Sequence, residues 1–222
     1  MGFKFNFFLT VFPEVLPYLK NTLWIAIAAY VLSFILSIIV SVCRALNVKG
    51  LYKFFEVYIS FFRSTPLVTQ LFFIYLGLPQ ILPIISEVSE MTILIVVMAL
   101  NQTAFMSEII RGAFLSIPKG QYDAAKSIGM TTNESLRHII IPQVIRIALP
   151  GMINSVISLI KGTSMGYTIG VLEMMTASRL YSARTFRQIE VYTALLLIYW
   201  AIVLIITKTQ SRLENRLNRG YV

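Results

Sequence analysis

The chain has 222 residues, of which 57% are hydrophobic and only 13% charged, and it carries a net charge of +9. Soluble domains of this size carry about a quarter charged residues, and here the apolar surplus comes in blocks. A membrane therefore accounts for the basic excess better than nucleic acid does. The single cysteine, Cys43, excludes an intrachain disulfide, and with only one histidine, His138, no metal-ligand cluster or Ser-His-Asp set can be drawn.

The first segment, "MGFKFNFFLTVFPEVLPYLK", is apolar and aromatic, with two prolines and no small-residue cleavage site. It reads as a retained segment lying on the membrane surface. About 20 apolar residues are needed to cross the hydrocarbon. On that basis the spans fall at 22–43, 59–79, 91–112, 150–172 and 190–207. The second is the least regular, because Arg63-Ser64-Thr65-Pro66 interrupts it. Proline is tolerated in a first helical turn, so Arg63 is placed near a membrane surface and the span is run over 59–79, with a kinked helix starting earlier as the alternative. The fold class expected is an all-α membrane protein with five transmembrane helices.

Charge sets the expected orientation. With the N-terminus outside, Arg44, Lys49, Lys53 and Arg63 fall inside, as do Arg111, Lys119, Lys126, Arg137 and Arg146, and the tail residues Lys208, Arg212, Arg216 and Arg219. Lys4, Lys20, Arg179, Arg184 and Arg187 fall outside. The bias favours N-out, C-in, with the three arginines between 179 and 187 running against it.

Between spans three and four lies a polar loop, about 115–142, containing "KGQYDAAKSIGMTTNESLRHIIIP". "QYDAAKSI" is rich in helix formers and stops at Gly129, a candidate helix-ending glycine. Thr131 and Glu134 then have the spacing of a capping box for a second helix. Ala124 and Ala125 offer a small-residue patch that another surface can approach closely. The loop is thus either a cover for helix ends or a docking site for a cytoplasmic partner.

Polar residues inside spans are costly and mark a pathway by default. Asn101, Gln102 and Thr103 lie roughly 15 Å below one end of span three, and Lys161 lies at a comparable depth in span four, followed by Thr163 and Ser164. Thr69 and Gln70 are weaker candidates. An amino acid zwitterion needs a partner for its carboxylate, which Lys161 could supply, and acceptors for its ammonium. The competing roles are structural: Lys161 paired with a carboxylate such as Glu108 or snorkelling to the surface, and the amides acting as interhelix glue. Gly162, Gly166 and Gly170 recur every four residues and suit close helix packing, within one subunit or between two.

The loop resembles the EAA loop of ABC importer permeases: Asp123, Ala124, Ala125, Gly129, Ile139 and Pro142 match its spacing, with Asp123 for Glu and Ile141 for Leu. "RSTPLVTQLFFIYLGLP", "SEIIRGAFLSIPKGQYDAAKSIGM" and "PQVIRIALPGMINSVISLIKGTSM" are similar to successive blocks of the polar amino acid permease family. Two departures are Gly162, where that family usually has Asp, and Phe105, where it more often has Tyr.

The resemblance implies a type I ABC importer permease fold in the bacterial plasma membrane. It implies a separate ABC ATPase in two copies, gripped at Gln121, Asp123, Ala124, Ala125 and Gly129. It further implies a second permease subunit, expected to form a homodimer, an extracytoplasmic substrate-binding protein, and an amino acid as substrate. The tail looks most like cystine permeases. ATP and Mg would sit on the ATPase, no cofactor or metal on this chain, and no nucleic acid is involved. The chain has no G-x-x-x-x-G-K-[ST] pattern of its own. The rival class is a passive channel or membrane scaffold that uses the same loop.

Overall fold

The computed structural model describes residues 2–218; Arg219, counted above with the basic tail, lies outside them. The described residues are all helical or connecting. In chain order the helices are α1 (Phe5–Val15), α2 (Leu19–Ala45), α3 (Leu51–Ser64), α4 (Leu67–Phe72), α5 (Glu90–Leu115), α6 (Lys119–Ser127), α7 (Thr132–Ser135), α8 (Ile141–Gly162), α9 (Met174–Thr185) and α10 (Gln188–Asn218), with single 3₁₀ and π turns between several of them. Four helical stretches, Phe5–Ala45, Glu90–Leu115, Thr132–Ile169 and Gln188–Arg216, are long and apolar enough to cross a membrane. The pair Leu51–Ser64 and Leu67–Gln80, bent by 110°, brings the number up to five.

The bundle has an apolar core and also exposes many large apolar side chains on its outer surface. Along α2 the buried positions are Thr22, Ile25, Ala26, Ala29, Ser33, Ser37 and Val40, mostly small, while Trp24, Ile27, Val31, Ile35 and Ile38 face outward. Both sets recur every three to four residues, which is one helix face each. Small side chains let backbones approach where lipid supplies no hydrophobic drive between helices. The buried hydroxyls are satisfied locally: Ser33 Oγ donates to Tyr30 O at 2.9 Å and Ser37 Oγ to Phe34 O at 2.8 Å.

The partner of that face is α5. Ser33 meets Thr103 and Met106, Ser41 meets the Ser107 carbonyl, and Arg44 meets Glu108. The pairings advance together along both chains, so α2 and α5 run in the same direction. Helix α8 runs the opposite way. Gly166 lies against Leu94, Gly162 against Met98 and Gly151 against Ile109. A Cβ on Gly166 would sit 2.7 Å from Leu94 Cδ2, and one on Gly151 2.8 Å from Ile109 Cγ2. Gly162 and Gly166 thus serve contacts within the subunit. Gly170 has a different job: at φ +85° it ends the helical turn Thr163–Ile169.

Three elements differ from the sequence expectation. The amino-terminal segment does not lie apart from the bundle. It prolongs α2 into one rod of 41 residues, because Phe8, Val11 and Val15 share a face that packs on Val191, Ala194, Leu195 and Ile198 of α10. The second predicted span, 59–79, falls on two helices rather than one. Pro66 has no N–H to give, and it pushes Thr65 out of the helical region to φ −110°, ψ 144°. The helix that carries span four begins well before 150, being nearly continuous from Thr132 to Ile169, and its first turns belong to the polar loop. A π turn at Leu136–Ile140 directly precedes Ile141-Pro142, widening the helix where the proline ring would otherwise strike the preceding turn.

Candidate functional site

The 110° bend is held by two amides. Gln70 Nε2 donates to the carbonyls of Phe62 at 3.2 Å and Thr65 at 3.1 Å, and to Thr65 Oγ1 at 2.7 Å. Asn101 Nδ2, from α5, donates to the same Phe62 carbonyl at 3.1 Å and to Gln70 Oε1 at 3.0 Å. These are the carbonyls that the broken helix leaves without backbone partners, and in an apolar setting each would be costly unpaired. Gln70, read from sequence as a pathway residue, is therefore a brace, and Thr69 beside it is exposed on the outer side of α4.

Beyond the brace, α4, α5 and α8 line an open-sided cavity of about 500 Å³. Leu67, Met98, Asn101, Gln102, Phe105, Ile109, Gly151, Asn154, Ser155, Ser158, Leu159 and Gly162 line it. Asn101 and Gln102 come from consecutive positions of α5, whereas Asn154, Ser158 and Gly162 recur at fours on α8 and so share one face. Gln102 is only 8% exposed, yet its amide makes no hydrogen bond among the described residues. The Oδ1 of Asn101 and the side chains of Asn154 and Ser158 are likewise unengaged among them, while Ser155 Oγ donates to Gly151 O at 3.0 Å. A cluster of neutral donors and acceptors in a greasy bundle, held open and left unspent, is suited to a small polar solute.

Other sequence candidates stand elsewhere. Thr103 turns toward α2 and donates to Ala99 O at 2.7 Å. Thr163 Oγ1 and Ser164 Oγ donate to Ile160 O and Lys161 O within their own helix, at 2.8 and 2.7 Å. Lys161 is exposed on the flank of α8, one position from Gly162, and does not line the cavity. It is not paired with Glu108. That carboxylate lies at the other end of the cavity system, accepting from Arg111 Nη2 at 2.7 Å and from Arg44, with Arg63 at 3.8 Å. Arg44 also holds Glu56. These groups, with Tyr52, Ser60 and Ser64, line a second cavity of about 670 Å³. Phe105 is common to both cavities, and the Arg63 guanidinium lies 5.7 Å from its ring centroid.

Sequence reasoning missed Asn154, Ser155 and Ser158, although the rule that singled out Asn101 applies equally to polar residues in span four. It missed the arginine–glutamate cluster because Arg44, Glu56 and Glu108 sit on three separate helices.

The polar loop forms at the α5–α8 end of this same bundle. Helix α6 closes with Gly129 N–H on Lys126 O and Met130 N–H on Ala125 O, both near 3.0 Å, with Gly129 at φ +81°. Thr131 and Glu134 then form a reciprocal capping box: Glu134 N–H reaches Thr131 Oγ1, and Thr131 N–H reaches Glu134 Oε2. Those bonds from Thr131 hold the exposed Glu134 carboxyl below its ordinary value. Tyr122 and Ala125 face inward, Tyr122 against a cluster that includes Leu136, Ile139 and Ile140. Gln121, Asp123 and Ala124 face outward, so the two alanines do not share one exposed patch.

Known proteins resemble this arrangement. The family model described as "Binding-protein-dependent transport system inner membrane component" matches residues 33–219. The probable amino-acid ABC transporter permease protein PatM of Vibrio harveyi is 40% identical over 222 residues, covering 100% of both chains. The L-cystine transport system permease protein TcyL of Bacillus subtilis (strain 168) is 33% identical over 223 residues, covering 99% of this chain and 93% of its own. The crystal structure of an amino acid ABC transporter with histidines matches with a TM-score of 0.90 at 28% identity, covering 97% of this chain and 100% of that one.

Proposed function

We propose that this chain, which belongs to the binding-protein-dependent transport system inner membrane components and is the permease subunit of an amino-acid ABC transporter, carries its amino acid through the cavity between α4, α5 and α8. The observation that carries the reading is the Gln102 amide, unpartnered among the described residues, on a side chain only 8% exposed that lines the cavity. Asn101, Gln102, Asn154 and Ser158 supply amide and hydroxyl dipoles for the ammonium and carboxylate of a zwitterion. Phe105 and the cluster of Arg44, Arg63, Glu108 and Arg111 stand at the exit toward the α6 end.

In this reading that end is cytoplasmic, with the N-terminus outside and the C-terminus inside the bacterial plasma membrane. Two copies of a separate ATPase, which hold ATP and Mg, dock on α6 through Gln121, Asp123 and Ala124, with Ala125 and Gly129 shaping the helix beneath. A second permease subunit, most simply another copy of this chain, completes the membrane part, and an extracytoplasmic binding protein delivers substrate. Cystine is the substrate favoured by the tail sequence. Asn154 and Ser158, exposed on α8 at the open side of the cavity, support a polar, protein-lined surrounding there, since lipid would not solvate them.

The test is direct binding. Gln102→Leu in the purified permease–ATPase assembly should weaken binding of the transported amino acid by about tenfold or more, the scale of losing a buried hydrogen-bonding group from a polar site. Unchanged affinity in a variant that still assembles would place the substrate elsewhere.

A further inference from the structure

The cavity is polar, yet none of the side chains lining it is charged. From this we infer that it selects amino acids with no net charge, and that Gly162 is the position at which this selectivity is set. The inference rests on the reading of the cavity as the amino acid site.

The physical argument concerns compensation. A zwitterion brings one positive and one negative group that partly satisfy each other, and the remainder can be met by neutral dipoles such as the amides of Asn101, Gln102 and Asn154 and the hydroxyl of Ser158. An additional cationic side chain meets no carboxylate in the lining that this chain supplies. Burying a charge without a counter-charge is far more costly than burying a hydrogen-bonded neutral group.

The nearest fixed charges do not repair this. Glu108 is already shared among Arg44, Arg111 and Arg63, and it lies in the second cavity, with Phe105 at the boundary. Arg63 is held there beside that ring and that carboxylate. Lys161 is outside the lining. An anionic side chain is therefore no better served than a cationic one. Cystine, glutamine and serine all satisfy the rule, because every charged end in them is part of a self-compensating pair; arginine, lysine and glutamate do not.

Gly162 is the position at which a charge could be added with least disturbance. It lines the cavity, and a Cβ built on it meets only the Met98 Cε end at 3.2 Å and Leu67 Cδ2 at 3.8 Å. Met98 is flexible at that end and can yield. By contrast Gly151 and Gly166 would collide at 2.8 and 2.7 Å. A carboxylate at 162 would stand at the wall between α5 and α8 and give a cationic side chain its missing partner.

The test is equilibrium binding of labelled glutamine, cystine, arginine and glutamate to the purified permease–ATPase complex in lipid nanodiscs, with no delivery protein present to impose its own preference. The wild type should bind arginine and glutamate at least about tenfold more weakly than glutamine or cystine. Gly162→Asp should raise arginine affinity by about tenfold or more, whereas Gly162→Asn, of the same shape without the charge, should not. Thermal unfolding of both variants confirms that they are folded. A wild-type preference below tenfold for either charged amino acid overturns the neutrality rule while leaving the importer reading intact. A folded Gly162→Asp without arginine gain overturns the assignment of Gly162. Binding of none of the four amino acids would remove the amino acid site itself, and this inference with it.

Discussion

Gln70 and Gln102 are both buried glutamines in apolar helices, at 5% and 8% exposure, and the same rule marks both as pathway residues. They do opposite things. Gln70 spends its amide on three acceptors around the Pro66 bend and on Asn101, whereas Gln102 spends none among the described residues. Nothing in the local sequence separates them, because what differs is the presence of Phe62 and Thr65 carbonyls freed by a bend 110° wide. Gln70→Leu should leave the Thr65 carbonyl without its donor, the Phe62 carbonyl with Asn101 alone and the Asn101 amide without the Gln70 Oε1 acceptor, and destabilise the protein by about 2 kcal/mol. Thermal unfolding in detergent measures this, and an unchanged midpoint would mean that the bend does not depend on the brace. Lys161 shows the same limit from the other side. Its depth was readable by counting residues, but whether a side chain enters a cavity or stands on the flank is decided by the rotation of α8 against α5, which Gly162 and Gly166 fix through contacts far away in sequence.

At the scale of elements, the polar loop was the most legible part of the chain, because its signals are local. Gly129, Thr131 and Glu134 act within a turn of one another, and the helix end and capping box both stand where the spacing puts them. The bent pair α3–α4 was the least legible, since Pro66 is compatible with a first turn in a straight span and equally with a sharp break. The capping box makes a measurable prediction. Thr131→Ala should cost about 1 kcal/mol of local stability and raise amide exchange over Thr132–Ile140 without changing it in α5.

The same cap has a pH signature. Because Glu134 has a depressed pKa in the folded loop, its contribution is complete above the ordinary carboxylate value and is lost as pH falls through the folded-state value below it. Exchange protection of α7 should therefore decline at acid pH in the wild type and show no such decline in Glu134→Gln. Identical pH profiles for the two would contradict the role given to the carboxylate.

At the scale of the whole molecule, the mostly small buried face of α2, the glycine contacts between α5 and α8, and the neutral polar cavity form one design: helices that approach closely around an apolar core, with one region left open. The helical membrane class was legible in composition. The cavity was not, because it is assembled from α4, α5 and α8 and appears only when they meet. The loop that carries α6 joins α5 to α8, the two helices that supply most of the cavity wall. A force applied at α6 therefore reaches α5 through a short link and α8 through α7 and the π turn Leu136–Ile140. This connection supports the proposal that a separate ATPase drives the permease through α6.

The measurement that tests this most directly is uptake of labelled cystine and glutamine into proteoliposomes containing the assembled permease and ATPase, with the delivery protein outside and ATP within. The account predicts accumulation that requires ATP and that is abolished by Asp123→Arg, a variant that should still insert and still unfold at the wild-type temperature because Asp123 is exposed. Accumulation that persists undiminished with Asp123→Arg in place, or that proceeds equally without ATP, would contradict it.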